Sequence, residues 1–415
     1  MINRPFVFVA NSSWYLAHYR YSLLKALLKQ GYQLIAISPV DSSSEELSSL
    51  SIHIPWRIKR SQDFNLFALF KSFLKSFAII RVIKPLLIHS HTLKANLLFS
   101  IVSSFFGIPC VLSFAGMGKL SKSKGFSLLI FKNVLKLIVF FSFHQRSSRW
   151  IWFNSPFRSI FIFQNPVDLR LFTDSIQDLP RDSCHLIYGS GVPSAYFSHD
   201  IYHNWLSTPC SDLQPHFLYC ARLLRSKGIL DFLEFSHSAP LDSLFSVFGE
   251  IDDSSSDSLT INELSTLKDD YSSVEFHGIL KDPLLNFNSS YPVLVVPSFY
   301  GEGMPRAIAE ALALCIPVIC TRNSACGIFD SSTVYIIDNT SIESLVSAYS
   351  AISRDFISGI LVDRLLAGRD FVLSSLSSDI VVKNTISVYD KLLSASPSSY
   401  ILTKDKSNQY SWLPK

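Results

Sequence analysis

Short runs of continuously apolar residues recur along this chain, and a longer stretch with helical spacing follows most of them. Phe6–Ala10 precedes a helical pattern over Tyr19–Gln30; Gly31 closes that pattern, and Gln33–Ser38 is the next apolar run. Helix-like Phe64–Ile83 leads through Pro85 into Leu86–His89, and Ala95–Phe106 ends at Gly107 and Pro109 before Cys110–Phe114. Strands alternating with helices build βαβ units and a parallel sheet. A strand covered by helices on both faces reads as unbroken apolar rather than alternating, as these runs do. The Ser-rich stretch Asp41–Ser51 reads as a loop or a surface turn of helix, and Ile151–Phe153 and Ile160–Phe163 read as further strands. The alternation pauses over Leu186–Phe197 and Leu206–Pro215. It restarts with strand Phe217–Cys220, helix Ile229–Ser236 and strands Leu244–Gly249, Val274–Gly278 and Val293–Pro297. Helix Arg306–Leu314, strand Val318–Thr321 and late helices follow. The reading is α/β: two parallel-sheet domains over 1–200 and 201–380, a helix over 381–395 crossing back onto the first domain, and a polar tail over 396–415. With 415 residues, 48% of them hydrophobic, each domain can bury a core, and disorder is excluded.

The formal charge of +4 hides a division. Residues 1–200 hold 22 Lys and Arg against 9 Asp and Glu, a net +13, and the remainder is −9. No carboxylate occurs between Asp63 and Asp168, an interval with 13 basic residues. A basic half implies an anionic partner, nucleic acid or membrane. Over Lys119–Arg158 the cations interleave with Phe, Leu and Trp, which suits an amphipathic helix lying in a headgroup layer. Exposed aromatics could also stack bases, but no nucleic-acid module is recognisable, so membrane is the partner expected and nucleic acid is not. Phe126–Phe143 is interrupted by Lys132 and Lys136 and falls short of the ~20 apolar residues of a spanning helix. Phe6–Ala10 is too short for a signal sequence. Seven scattered cysteines read as free thiols of a reducing compartment. The expectation is a cytoplasmic protein, peripheral on the inner membrane face.

The most specific segment runs from Pro297 to Glu310. It leaves an apolar strand, passes Gly301 and Gly303, and opens a helix at Pro305, a residue suited to the first helical position. The N–H groups of that helix start are an anion site, and a phosphate there would relieve the unfavourable first-turn cation Arg306. Glu302 and Glu310 can accept hydrogen bonds from a polyhydroxylated ligand. No acidic cluster suggests a metal clamp. His89 and His91 end a strand beside Lys94, where they are either ligand contacts or core histidines.

This segment resembles the E-x7-E signature of family-4 retaining GT-B glycosyltransferases. The resemblance implies that Glu302 contacts the donor sugar and Glu310 the nucleotide ribose, with Gly301, Gly303, Met304, Pro305 and Arg306 lining the donor. Phe217–Gly228 is similar to the family's diphosphate loop and places its cations at Arg222 and Lys227, with Ala221 where Gly is usual. Asn11–Arg20, Ile88–Lys94, Ser113–Gly118, Phe163–Asp168 and Leu186–Val192 resemble loops of the capsular, O-antigen and lipid-linked saccharide subgroup. They give acceptor-side candidates Trp14, Tyr15, Arg20, His91, Lys94, Gly116 and Gly118. Trp14 and Tyr15 stand where many members have Gly-Gly, and Ala115 where many have His. The implied fold is two Rossmann-like domains facing a cleft. The implied activity is metal-independent, retaining transfer from a nucleotide-sugar, a UDP-sugar, to a polyprenyl-diphosphate-linked saccharide, with no cofactor. A nucleotide-sugar-binding protein or membrane scaffold without catalysis, on the same fold, is the alternative class.

Overall fold

A computed structural model describes residues 4–56, 66–117, 126–143, 159–176, 179–198, 214–240, 242–253, 255–286, 291–299, 301–394, 400–404 and 410–414. Two compact units result. The first is Met1–Gln164, Asp168–Ile187 and Val381–Lys415; the second is Asn165–Val167 and Tyr188–Ile380. The change of unit at 187/188 precedes the joint expected near residue 200.

The first unit carries seven strands: β1 (Phe6–Val9), β2 (Leu34–Ser38), β3 (Ile52–Pro55), β4 (Leu87–His91), β5 (Cys110–Phe114), β6 (Ser159–Phe163) and β7 (Cys184–Leu186). Their order is β3-β2-β1-β4-β5-β6-β7, with every pair parallel. The central strands β1, β2, β4, β5 and β6 are buried along their whole length. One apolar core packs helices Leu66–Ile83, Leu93–Phe106 and Phe126–Phe143 onto one sheet face. A second core packs Tyr21–Lys29 and the C-terminal helix Ser378–Ser394 onto the other, through Val381, Val388, Tyr389 and Leu392.

The second unit has β8 (His216–Cys220), β9 (Leu244–Phe248), β10 (Val274–Gly278), β11 (Pro292–Val296), β12 (Val318–Thr321) and β13 (Tyr335–Ile337). They run parallel in the order β10-β9-β8-β11-β12-β13. In each sheet the order reverses direction once, between β1 and β4 in the first and between β8 and β11 in the second. Open parallel sheets bind ligands beyond the carboxyl ends of the strands at that reversal.

The sequence periodicity misses β3, β7 and β13, and all three are sheet edges. An edge strand is half wetted; β3 is nowhere fully buried, so it gives no apolar run. Asp41–Ser51 contains helix Ser44–Leu50. The helix expected over Tyr19–Gln30 is broken at Arg20: one turn of π-helix spans Tyr15–Tyr19, and Tyr21–Lys29 is the regular helix. The expected tail contains Tyr400–Lys404 and Tyr410–Pro414, paired as an antiparallel ribbon. Strand Ile151–Phe153, Gly118 and most of Leu206–Pro215 lie outside the described residues. Among the described residues no single helix is long and apolar enough to cross a membrane.

Candidate functional site

The reversal of the second sheet positions two loops. The loop after β8 passes Ala221 and Arg222 into a 3-10 turn, Arg225–Lys227, and reaches helix Ile229–Ser236 at Gly228. The loop after β11 passes Gly301–Met304 into helix Arg306–Ala313. The loops are stitched together: the Phe299 N–H donates to the Ser226 carbonyl at 2.9 Å, and the Ser298 hydroxyl donates to the same oxygen at 3.2 Å. Gly228 sits at φ +76°, and a Cβ there would lie 2.3 Å from the Pro297 carbonyl oxygen. Both the backbone angle and the contact demand glycine. Gly228→Ala is therefore expected to destabilise the protein by about 1–3 kcal/mol, read from the urea midpoint at unchanged slope.

Across this seam Lys227 Nζ meets Glu302 Oε1 at 2.5 Å, with both side chains mostly buried. Arg222, half exposed, pairs with Asp252, whose carboxylate is nearly covered. No motif in the sequence marks Asp252 as part of this site. The signal was available, because Asp252 follows β9, the strand beside β8, and strand ends at a reversal converge. Beneath Glu302, the Asn165 side chain donates through Nδ2 to the Glu302 and Gly303 carbonyls at 2.9 and 2.7 Å. Cys326 Sγ lies 3.4 Å from the same Glu302 carbonyl. Asn165 is buried and fixes the loop backbone, leaving the Glu302 carboxylate to Lys227.

Two expectations about the helix start are corrected. Pro305 is the N-cap, with extended backbone, and Arg306 is the first helical residue. The Arg306 charge is answered within its own helix by Glu310, one turn on, so relief of its first-turn position does not require a phosphate. Glu310 is buried; burial raises its pKa, and the Arg306 guanidinium opposes that rise. Nearby, the buried Tyr196 hydroxyl donates to Asp282 at 3.1 Å. Met304 is buried and packs against Gly189, where φ is +60° and a Cβ would fall 2.4 Å from the Met304 methyl.

The reversal of the first sheet gathers the other candidates. The break at Arg20 turns its side chain inward, where it is 4% exposed. Its Nε donates to His91 Nε2 at 2.9 Å, and an Nη donates to the Tyr15 hydroxyl at 3.0 Å. His91 Nδ1 lies 3.1 Å from the Val9 carbonyl oxygen, which can only accept. Nδ1 therefore carries the proton, and Nε2 is the acceptor that Arg20 needs. The His89 ring lies tilted against His91, 4.0 Å between ring centres, and bonds the Tyr389 hydroxyl at 2.6 Å and Ser113 Oγ at 2.7 Å. Both imidazoles are held well below their ordinary pKa, foremost by burial; His91 and Arg20 add to the effect at His89, and Arg20 at His91. His89 and His91 are thus core histidines. Trp14 is exposed and stacks on His18 at 4.7 Å. Lys94 is the second residue of helix Leu93–Phe106, and Gly116 has φ +89°. Asp168 receives the Met117 N–H at 3.1 Å.

Comparison with known proteins agrees with this layout. Residues 6–145 match the family described as "Glycosyl transferase 4-like", and residues 214–355 match "Glycosyl transferases group 1". No curated protein is significantly similar to the chain in sequence. Among solved structures, sucrose-phosphate synthase from Thermosynechococcus elongatus superposes with a TM-score of 0.71 at 16% identity, covering 95% of this chain and 100% of that one. HepE from Anabaena, in complex with UDP, gives 0.68 at 15%, covering 94% and 100%. WaaG, a glycosyltransferase involved in lipopolysaccharide biosynthesis, gives 0.65 at 13%, covering 92% and 99%.

Proposed function

The chain belongs to the 4-like, group 1 glycosyltransferases of GT-B fold, and from that premise we propose that it moves a sugar, with retention, from a UDP-sugar to a lipid-linked saccharide. The observation that carries the donor assignment is the Lys227–Glu302 pair across the sheet reversal. A guanidinium has five donors and an ammonium three, so Arg222 and Lys227 can each keep a carboxylate and still reach a phosphate oxygen. As the sugar leaves, charge builds on the diphosphate. Arg222, Lys227 and the N–H groups at the start of helix Arg306–Ala313 are placed to stabilise it, and this reading needs no metal. Glu302, held by Lys227 and by its clamped backbone, receives the sugar hydroxyls. Glu310 receives the ribose hydroxyls from the first turns of its helix. UDP bound to HepE supports a uridine diphosphate donor, and the involvement of WaaG in lipopolysaccharide biosynthesis supports a cell-surface saccharide as acceptor.

The acceptor is assigned to the first unit, around Trp14, Tyr15, Lys94 and Gly116. Arg20 and His91 serve there as buried supports for Tyr15 rather than as open contacts. A lipid-linked acceptor places the protein at the cytoplasmic membrane face. Incubating the protein with a panel of nucleotide-sugars and a lipid-linked saccharide pool, read by mass spectrometry, is expected to give one product enlarged by one sugar. Saturable donor binding with no turnover of any donor would instead make the chain a nucleotide-sugar-binding protein.

A further inference from the structure

Helix Leu66–Ile83 packs Ile80, Leu69 and Phe73 into the core and yet keeps large apolar side chains on its outward face as well. Two positions it buries are serines, Ser72 and Ser76, and Ser76 Oγ closes back on the Ser72 carbonyl at 2.7 Å. Its outward stripe carries Phe67, Phe70, Leu74 and Val82, between 50% and 82% exposed. Positions 67, 70, 74 and 82 share one face of a helix, so this is one patch and not scattered exposure. Lys71, Lys75 and Arg81 stand on the same exposed side. The Lys71 ammonium lies 4.5 Å from the centre of the Phe67 ring, a cation held over the apolar surface.

Helix Phe126–Phe143 repeats the pattern on the same sheet face. Leu129, Leu137 and Phe140 are exposed, with Lys132 and Lys136 between them. Both helices contribute to one core with Leu93–Phe106, which lies packed against each of them. Neither helix has a carboxylate, since none occurs between Asp63 and Asp168. A water-facing surface usually mixes both signs of charge and keeps large apolar side chains few.

We propose that the outward faces of helices Leu66–Ile83 and Phe126–Phe143 together form a docking surface for an anionic lipid bilayer. The rings and leucines enter the headgroup layer while the lysines and Arg81 meet lipid phosphates. Lipid answers both halves of the pattern at once. Nucleic acid would answer the cations and leave the aliphatic side chains without a partner, and the same face of a second copy would set like charges against each other. The inference deepens the lipid-linked acceptor reading and rests on it only for purpose, because docking is measured without donor or acceptor.

The test uses the full chain and vesicles of phosphatidylcholine, with or without phosphatidylglycerol, in a sedimentation assay at low and high salt. Binding is expected to the anionic vesicles only and to weaken as salt rises. Lys71→Gln and Lys132→Gln are each expected to weaken it about five-fold, and Phe70→Ser about ten-fold or more. All three positions are exposed, so the variants should melt like the parent. Absence of binding to anionic vesicles at low salt overturns the proposal. Binding that all three variants leave unchanged overturns it too, since another surface would then be responsible. So does a lipid-free oligomer that Phe70→Ser dissolves, which would make the patch a contact between copies. Transferase failure with intact vesicle binding would strike the proposed function alone.

Discussion

Replacing Glu302 with glutamine is expected to lower kcat for sugar transfer by about 10²–10³-fold, a loss of ~3–4 kcal/mol of transition-state stabilisation. The side chains are nearly isosteric and the loop backbone is held independently by Asn165, so the loop keeps its course, while leaving the mostly buried Lys227 ammonium without its counter-charge is expected to cost about 3 kcal/mol of stability. What disappears is the negative charge that meets Lys227 at 2.5 Å and orients its ammonium. Lys227→Ala should cost a similar factor. The double variant should cost clearly less than the product of the two, because each single change already breaks the same pair. Steady-state kinetics at saturating donor, with thermal melts alongside, decide the matter. A Glu302→Gln enzyme within ten-fold of the parent would remove the site assignment.

The second large effect is on stability. His89 and His91 are kept neutral inside the first unit, with pKa values well below 6.5, whereas the unfolded chain titrates near 6.5. Above that value neither state takes up the extra proton, and the pair is silent. As pH falls through it, the unfolded chain binds protons that the folded protein refuses, so stability drops. The slope approaches ~1.4 kcal/mol per pH unit for each histidine, just under 3 for the two. His216, pushed down to about 4 mainly by burial, and His185, lowered mainly by burial, act in the same direction. Urea titrations on either side of the histidine range should therefore show a steep loss on the acid side. His89→Gln, whatever it does to stability at neutral pH, should make that slope shallower by about one histidine's share. An unaltered slope would mean that His89 is not one of the protons counted.

How much of this was legible beforehand follows from what kind of signal each feature leaves. Strands β1, β2, β4, β5, β8 and β11 are covered on both faces and announce themselves as apolar runs, whereas β3 and β7 are partly wetted edges and do not, and β13 is an edge only three residues long. Glu302, Glu310, Arg222 and Lys227 stand out because they sit in short segments beside glycines and a proline. Their pairing does not, since Lys227 and Glu302 are far apart in sequence and meet only because β8 and β11 are neighbours in the sheet. Asp252 and Asn165 escape for the same reason. Arg20 and His91 are acceptor-side candidates in the sequence, His91 with a core histidine as the alternative; a break in the helix at Arg20 turns the guanidinium inward onto His91, and the two form a buried pair. Periodicity cannot foresee a one-residue slip of that kind. The outward phenylalanines of helix Leu66–Ile83 were visible as letters, and only burial tells which way they face.

The membership of the two units has a practical consequence for anyone dividing the chain. Cutting between Ile187 and Tyr188 looks like a clean separation, but each piece would lose a part encoded on the other side. The first would leave behind Tyr389, the hydroxyl partner of His89, and the apolar stripe of helix Ser378–Ser394 that covers one sheet face. The second would leave behind Asn165, the clamp on Glu302. Exchanging C-terminal halves between relatives would thus transplant the proposed donor loop without its fastening. A working chimera has to carry Asn165–Val167 with the second unit and return to the parent sequence at Val381.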